Sequence, residues 1–405
     1  MSSSCPDNAT AASPWPEEAR TADVCGSTWQ DAYAALHASQ LELDSPRLLV
    51  FDVTGNGGIA DRLTGLMTVL LIAILTDRAL AIDWPAHETA LRVPRLDNTR
   101  ALSLARAAQL RDVRQMHWLN GNRVQLRNLT EAAPSLDELW PERVLVLRTN
   151  RGFTQGLLTS ARHAAAVSAH GLSPSNAQFG CLFNFLLRPT AEALAAIRPQ
   201  RAALQAAHAA GEVTVGVHVR TGDSSFTTEK AAASAVAGNA RGAELYASHR
   251  FIYDYALELA RRIAEERGGA RASRLLLLGD SPTLRRHAAA QIGEAFILSA
   301  AEQAGGSAGS SEGGGVVVGH VARQQDARTL QGAVAEHWLY SAADAFVYSS
   351  HSGFPRTAAA RALRDDAIHT CFHYTGRTFN PQNTARECTG PWSVAQLGDR
   401  HAAGL

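Results

Sequence analysis

Residues 47–83 read RLLVFDVTGNGGIADRLTGLMTVLLIAILTDRALAID, and this stretch decides the fold. Leu48 to Phe51 is an unbroken apolar run closed by Asp52, which reads as a strand buried on both faces. GNGGIADR follows as a glycine-rich loop, and Leu63 to Thr76 reads as a helix. That helix carries the longest apolar stretch of the chain, Leu66 to Leu75. Asp77 and Arg78 stop it, and Ala79 to Ile82 returns as a second strand with Asp83 at its end. Strand, glycine loop, helix and strand in this order form the repeating unit of a parallel α/β sheet.

The same alternation continues outward to about residue 375. Val144 to Leu147 is a further strand, with helical stretches around Gly156 to His170 and Pro189 to Ala210. A second block opens at Val213 to Val219. Helix 248–267, strand Leu275 to Leu278, helix Pro282 to Ile292, strands Ala295 to Leu298 and Val316 to Val318, helix Thr329 to Ala342 and strand Ala345 to Tyr348 follow. The expected organisation is two α/β units, 46–210 and 211–375, between a disordered tail 1–45 and a C-terminal tail 376–405. The low-complexity stretches 231–242 and 304–315 read as surface loops.

The 405 residues are enough for two domains, and 46% hydrophobic with 19% charged residues excludes a disordered chain or a disulfide miniprotein. Lys+Arg and Asp+Glu both total 38, so charge points to no nucleic-acid partner. Lys230 is the only lysine, so an arginine is informative only inside a longer motif. No secretory signal and no membrane span is legible, while Asn8 and Asn128 head N-x-[ST] triplets; the compartment stays open. Five cysteines show no CxxC spacing, which speaks against a structural zinc site and leaves at least one thiol unpaired. Cys371 and Cys388 can close a late loop in an oxidising compartment.

Four strand ends carry unusual residues, and ligands of parallel sheets bind beyond such ends. The first, Gly55 to Ala60, matches the dinucleotide pattern GxGxxG/A but serves equally as a tight turn. Asp61 stands where a pyrophosphate would lie. The second is His218-Val219-Arg220-Thr221-Gly222-Asp223, whose alternation puts His218 and Arg220 on one face. Arg220 can hold a diphosphate or pair with Asp223. The third is Asp280-Ser281, where the carboxylate either meets a ribose or guanine edge or caps the next helix. The fourth runs from Tyr348 through Ser350, Ser352, Gly353 and Phe354 to Pro355, hydroxyls and glycine ahead of a helix.

These elements, in this order, resemble the GDP-fucose-dependent fucosyltransferase superfamily of α-1,2, α-1,6 and protein O-fucosyltransferases. The resemblance spans about residues 48–375 through GGIADRLTGLMTVLLIAILTDRALAIDW, FGCLFNFLLRP, VGVHVRTGD, LLLLGDS and ADAFVYSSHSGFPRTAAARA, with HxRxGD the most specific. It implies a GT-B architecture, two Rossmann-like domains with parallel sheets facing across a cleft, and an inverting, metal-independent transfer of fucose from GDP-fucose to a glycan or protein hydroxyl. By the same resemblance Arg220 stabilises the leaving GDP. His218, Asp223, Asp280, Ser281, Ser350, Ser352, Gly353 and Phe354 line the donor pocket. Gly57, Gly58, Asp61 and Arg62 face the fucose and acceptor, with Asp61 either the general base or locked to an arginine. A Golgi or ER lumen is implied too. Ala60, Asp61 and Pro355 depart from the family pattern, which concerns the acceptor side most.

No D-x-D triplet is present, in line with a mechanism without metal or other cofactor, and HExxH does not occur. Two rival readings stand: an NAD-dependent oxidoreductase using the first glycine loop, and a catalytically silent relative that binds GDP or a glycan.

Overall fold

The computed structural model describes residues 16–53, 57–108, 112–118, 135–173, 177–221, 235–268, 272–293, 326–349, 352–364, 367–373 and 386–392. The strands of the first half are β1 (Leu48–Asp52), β2 (Ala79–Asp83), β3 (Leu91–Arg92), β4 (Val113–Trp118), β5 (Val144–Thr149) and β6 (Arg188–Pro189). Four of them form a parallel sheet in the order β2-β1-β5-β4, with β3 and β6 paired antiparallel beside it. Its labelled helices are α1 (Pro16–Cys25), α2 (Thr28–Leu41), α3 (Ile59–Leu75), α4 (Asn98–Ala107) and α5 (Gln178–Leu186). α3 is apolar nearly all round, and every residue in it except Asp61 is buried, as a helix with no polar face must be. It begins four residues earlier than the apolar period predicts. Gly58 is its N-cap, and the Asp61 carboxylate reaches back to the Gly58 N–H at 3.2 Å.

The second half contributes β7 (Val213–Val219), β8 (Ser273–Gly279), β9 (Ala345–Ser349), β10 (Ile368–His373) and β11 (Arg386–Trp392). Around them lie α6 (Ala235–Glu266), α7 (Pro282–Ile292), α8 (Ala327–Ser341) and α9 (Gly353–Arg361). The sheet order is β11-β10-β9-β7-β8, parallel apart from β11. β7 is buried along its whole length, which explains its continuous VTVGVHV. The chain is thus α/β with two mostly parallel sheets.

Five stretches differ from the sequence reading. The segment read as a loose tail contributes α1 and α2, with Trp29, Tyr33, His37 and Leu41 buried at four-residue spacing, one face of a helix. The Tyr33 hydroxyl donates to the Arg78 carbonyl at 3.1 Å, and a Cys25–Cys181 disulfide ties α1 to α5. Residues 235–242 are the start of the long helix α6 rather than a loop. Part of the supposed C-terminal tail is β11, held to β10 by its ladder and by the Cys371–Cys388 disulfide. The helices read at 156–170 and 189–210 are each broken in two, Thr154–Thr159 with Ala164–Ala169, and Ala191–Ala195 with Arg198–Ala209. Cys5, the strands 295–298 and 316–318 and the loop 304–315 lie outside the described residues. Among the described residues no helix is long and apolar enough to cross a membrane.

One hydrophobic core runs through both halves. At the seam the Phe183 ring of α5 stacks on His337 of α8, with centroids 5.4 Å apart and planes 13° apart, and lies 5.3 Å from Trp338. Arg361 of α9 sits 4.3 Å over Trp338, and its carbonyl accepts from the Asn184 amide at 3.0 Å. α9 packs on both α3 and α5, so its N-terminus, which follows β9, is brought against the first half.

Candidate donor-binding and transfer site

In the second sheet the chain leaves β7 for β8 on one side and later reaches β9 on the other. The carboxyl ends of β7 and β9 therefore flank a switch point, the place where parallel sheets open a crevice. Two hydrogen-bonded links pin Arg220 and Thr221, the start of the loop, there. The Arg220 backbone N–H donates to Ser349 Oγ at 2.8 Å, tying the end of β7 to the end of β9. Asp280 Oδ1 accepts from the Thr221 N–H at 2.7 Å and from the Thr221 hydroxyl at 2.9 Å, tying it to the end of β8. The close pairing of β7 with β8 ends at Gly279, whose φ is +156° and where a Cβ would lie 2.4 Å from the Val219 carbonyl oxygen. Only glycine fits there.

The structure decides what Asp280 and its neighbour do locally. Ser281, not Asp280, caps α7: its hydroxyl accepts from the Leu284 N–H at 3.1 Å and the residue is buried. Asp280 holds Thr221 instead.

His218 is 6% exposed and stacks on Phe354 with centroids 5.2 Å apart and planes 26° apart, while Tyr340 meets it edge-on. Burial, reinforced by the charges of Arg220 and Arg285, lowers its pKa to about 3. His218 is therefore neutral, with one N–H and one lone pair to offer, and its buried Nδ1 has no hydrogen-bond partner among the described residues. Arg285 is itself neutralised by a buried ion pair with Glu336 at 2.7 Å. Ser352 is the N-cap of α9, yet its buried hydroxyl makes no capping bond and has no partner among the described residues. The positive end of α9 thus sits beside the loop that carries Arg220.

Across the seam stands the first glycine loop. A Cβ on Gly353 would lie 3.1 Å from the Ala60 Cβ, so the N-termini of α9 and α3 meet almost in contact. Asp61 is exposed beside that junction. Arg62 is turned inward: its Nε donates to the Gly57 carbonyl at 3.0 Å and its guanidinium lies 5.7 Å from the Trp84 ring. Arg62 is 6% exposed, and burial lowers its pKa, an effect that the Asp61 charge opposes. Its side chain buttresses the loop from within. Gly57 also faces Asn150, which follows β5, at the switch point of the first sheet.

The structure therefore brings His218, Arg220, Asp280, Ser352, Gly353 and Phe354 around one switch point, with Gly57, Gly58 and Asp61 across the seam. Gly222, Asp223 and Ser350 lie outside the described residues. Sequence reasoning passed over Ser349, Thr221 and Arg356. Ser349 stood inside the quoted motif, and its partner becomes visible only once β7 and β9 are known to be neighbours.

No family model and no curated protein matches the chain. Solved structures similar to it include two fucosyltransferases. A FUT1 variant of Arabidopsis thaliana in complex with GDP is 14% identical, covering 90% of this chain and 79% of its own, with a TM-score of 0.44. Fucosyltransferase NodZ from Bradyrhizobium is 14% identical, covering 80% of this chain and 95% of its own, with a TM-score of 0.41.

Proposed function

We propose that the chain is a glycosyltransferase that moves fucose from GDP-fucose to a hydroxyl of a glycan or protein acceptor, with inversion and without a metal. The unit 211–375 holds the donor and 46–210 faces the acceptor. The observation that carries this reading is the hydrogen bond from the Arg220 N–H to Ser349 Oγ, which fixes the HxRxGD loop beside the N-terminus of α9. A guanidinium and a helix N-terminus at one switch point suit a diphosphate.

In the proposed step the acceptor oxygen forms a bond to the anomeric carbon from the face opposite GDP. The bond from that carbon to the β-phosphate oxygen breaks, and its electron pair leaves with GDP. Arg220 and the N–H groups at the start of α9 offset the charge that develops on the phosphate, the role a metal fills elsewhere. Asp61 takes the acceptor proton, for which its exposed place at the junction of α3 and α9 is suited. His218 offers polar groups to the base or ribose as a neutral ring, and Phe354, stacked on it, supplies an apolar wall. The first glycine loop fits the oxidoreductase alternative less well, because the Asp61 carboxylate occupies the N-terminus of α3 that a pyrophosphate would need.

The test is release of GDP from a panel of nucleotide sugars and acceptors. The expected result is turnover with GDP-fucose that Arg220→Ala reduces by a factor of roughly 100 or more while the melting temperature holds. GDP binding without turnover would make the chain a silent relative. Stabilisation by NADH and not by GDP would overturn the reading.

A further inference from the structure

Arg356 lies three residues beyond Gly353 on α9, on the same face of the helix. Gly353 abuts Ala60, so this face is turned toward Asp61, the one exposed residue of α3. The two opposite charges interact across the seam, yet no ion pair joins them. Arg356 also lies near Tyr348, whose hydroxyl burial keeps protonated and which is the residue before Ser349 and the register partner of His218 on β7. Tyr348 is 2% and Ser352 3% exposed, and among the described residues neither buried hydroxyl has a hydrogen-bond partner, nor does Arg356 Nε. Two buried hydroxyls left open offer a place where a ligand can complete the bonding.

The chemistry of the set selects the ligand. The Asp61 carboxylate repels phosphate, and Arg220 already serves that charge beyond β7. A guanidinium, a carboxylate and hydroxyls together offer donors and acceptors with little net charge, which suits a neutral polyol. We propose that Arg356, with Tyr348 and Asp61, holds hydroxyls of the donor's sugar ring, so that these residues read the sugar while Arg220 reads the diphosphate. This rests on the GDP-sugar reading above and assigns within it a specificity site built around Arg356.

The experiment is calorimetric titration of the wild type, Arg356→Gln, Arg356→Lys and Tyr348→Phe with GDP, GDP-fucose and GDP-mannose. GDP affinity serves as the control for folding. Arg356→Gln should leave GDP affinity within about twofold and weaken the sugar nucleotide that the wild type prefers roughly ten- to hundredfold. Arg356→Lys should regain part of that loss, and Tyr348→Phe should show a smaller loss of the same kind. Should Arg356→Gln fail to fold, the ratio of the two affinities in the other variants decides by the same criterion. An equal loss for GDP and the sugar nucleotide assigns Arg356 to the diphosphate, and no change in either removes it from the site. Each of these overturns the proposal and leaves the GDP-sugar reading standing. A wild type that binds neither GDP nor its sugar conjugates overturns that reading and this proposal together.

Discussion

Replacing Asp280 separates two roles for that carboxylate. In the structure one oxygen, Oδ1, accepts from both the N–H and the hydroxyl of Thr221, next to Arg220. Hydrogen bonds to a charged acceptor contribute about 1.5–3 kcal/mol each, and the half-buried position lowers that to a combined value of about 2–4 kcal/mol. The loop can detach locally without unfolding the sheet, so most of this appears as lost order around Arg220. If the order is needed for transfer, kcat/KM of Asp280→Ala falls by a factor of roughly 30 to 1,000, since about 1.4 kcal/mol is tenfold. The melting temperature should fall by only a few degrees. Asp280→Asn keeps an oxygen in the same place and should retain most of the activity. GDP release under single-turnover conditions and calorimetric GDP binding measure both effects. An Asp280→Ala variant within threefold of wild type would refute the positioning argument. An Asp280→Asn variant as impaired as Asp280→Ala would show that the negative charge acts on the ligand itself.

Two further outcomes follow from the interior. His37, His218, His337 and His369 are buried with pKa values lowered chiefly by burial, His218 to about 3 and His369 to about 4. The unfolded chain takes up these protons near pH 6.5 while the folded chain refuses them, so stability is full above that pH and falls as pH drops toward 4. Each fully shielded histidine contributes about 1.4 kcal/mol per pH unit in this window. Denaturant titrations at pH 7.5, 6 and 5 should show a steep decline, and a flat profile would contradict the burial. Opening the Cys25–Cys181 disulfide by a Cys25→Ser, Cys181→Ser double replacement should cost about 2–5 kcal/mol, read as a lower melting temperature.

What the sequence made legible was decided by burial on both faces. β1, α3 and β7 stand out because their apolar residues are continuous, and HVRTGD because charged groups follow such a run directly. β4 was missed: VRQMHW places Arg114, Gln115 and His117 in the open on an edge strand, so no apolar run marks it. α2 was missed because Trp29, Tyr33, His37 and Leu41 are diluted among polar and alanine positions, and one of the four is a histidine. The residues at the β7–β9 switch point stand in the quoted motifs, whereas the contacts of Ser349, Thr221 and Arg356 reach to other strands and helices. Those partners follow from sheet order and from which helix crosses the seam, and neither is spelled out by local patterns.

The ring of Phe183 caught between His337, Trp338 and the guanidinium of Arg361 has a consequence for how the molecule comes apart. Prising the two sheets from one another would wet four stacked groups at once and strand the Asn184 amide without its carbonyl, so neither sheet can melt alone at little cost. Calorimetry should record a single endotherm, and a fragment ending near residue 210 should expose an aromatic scar and precipitate.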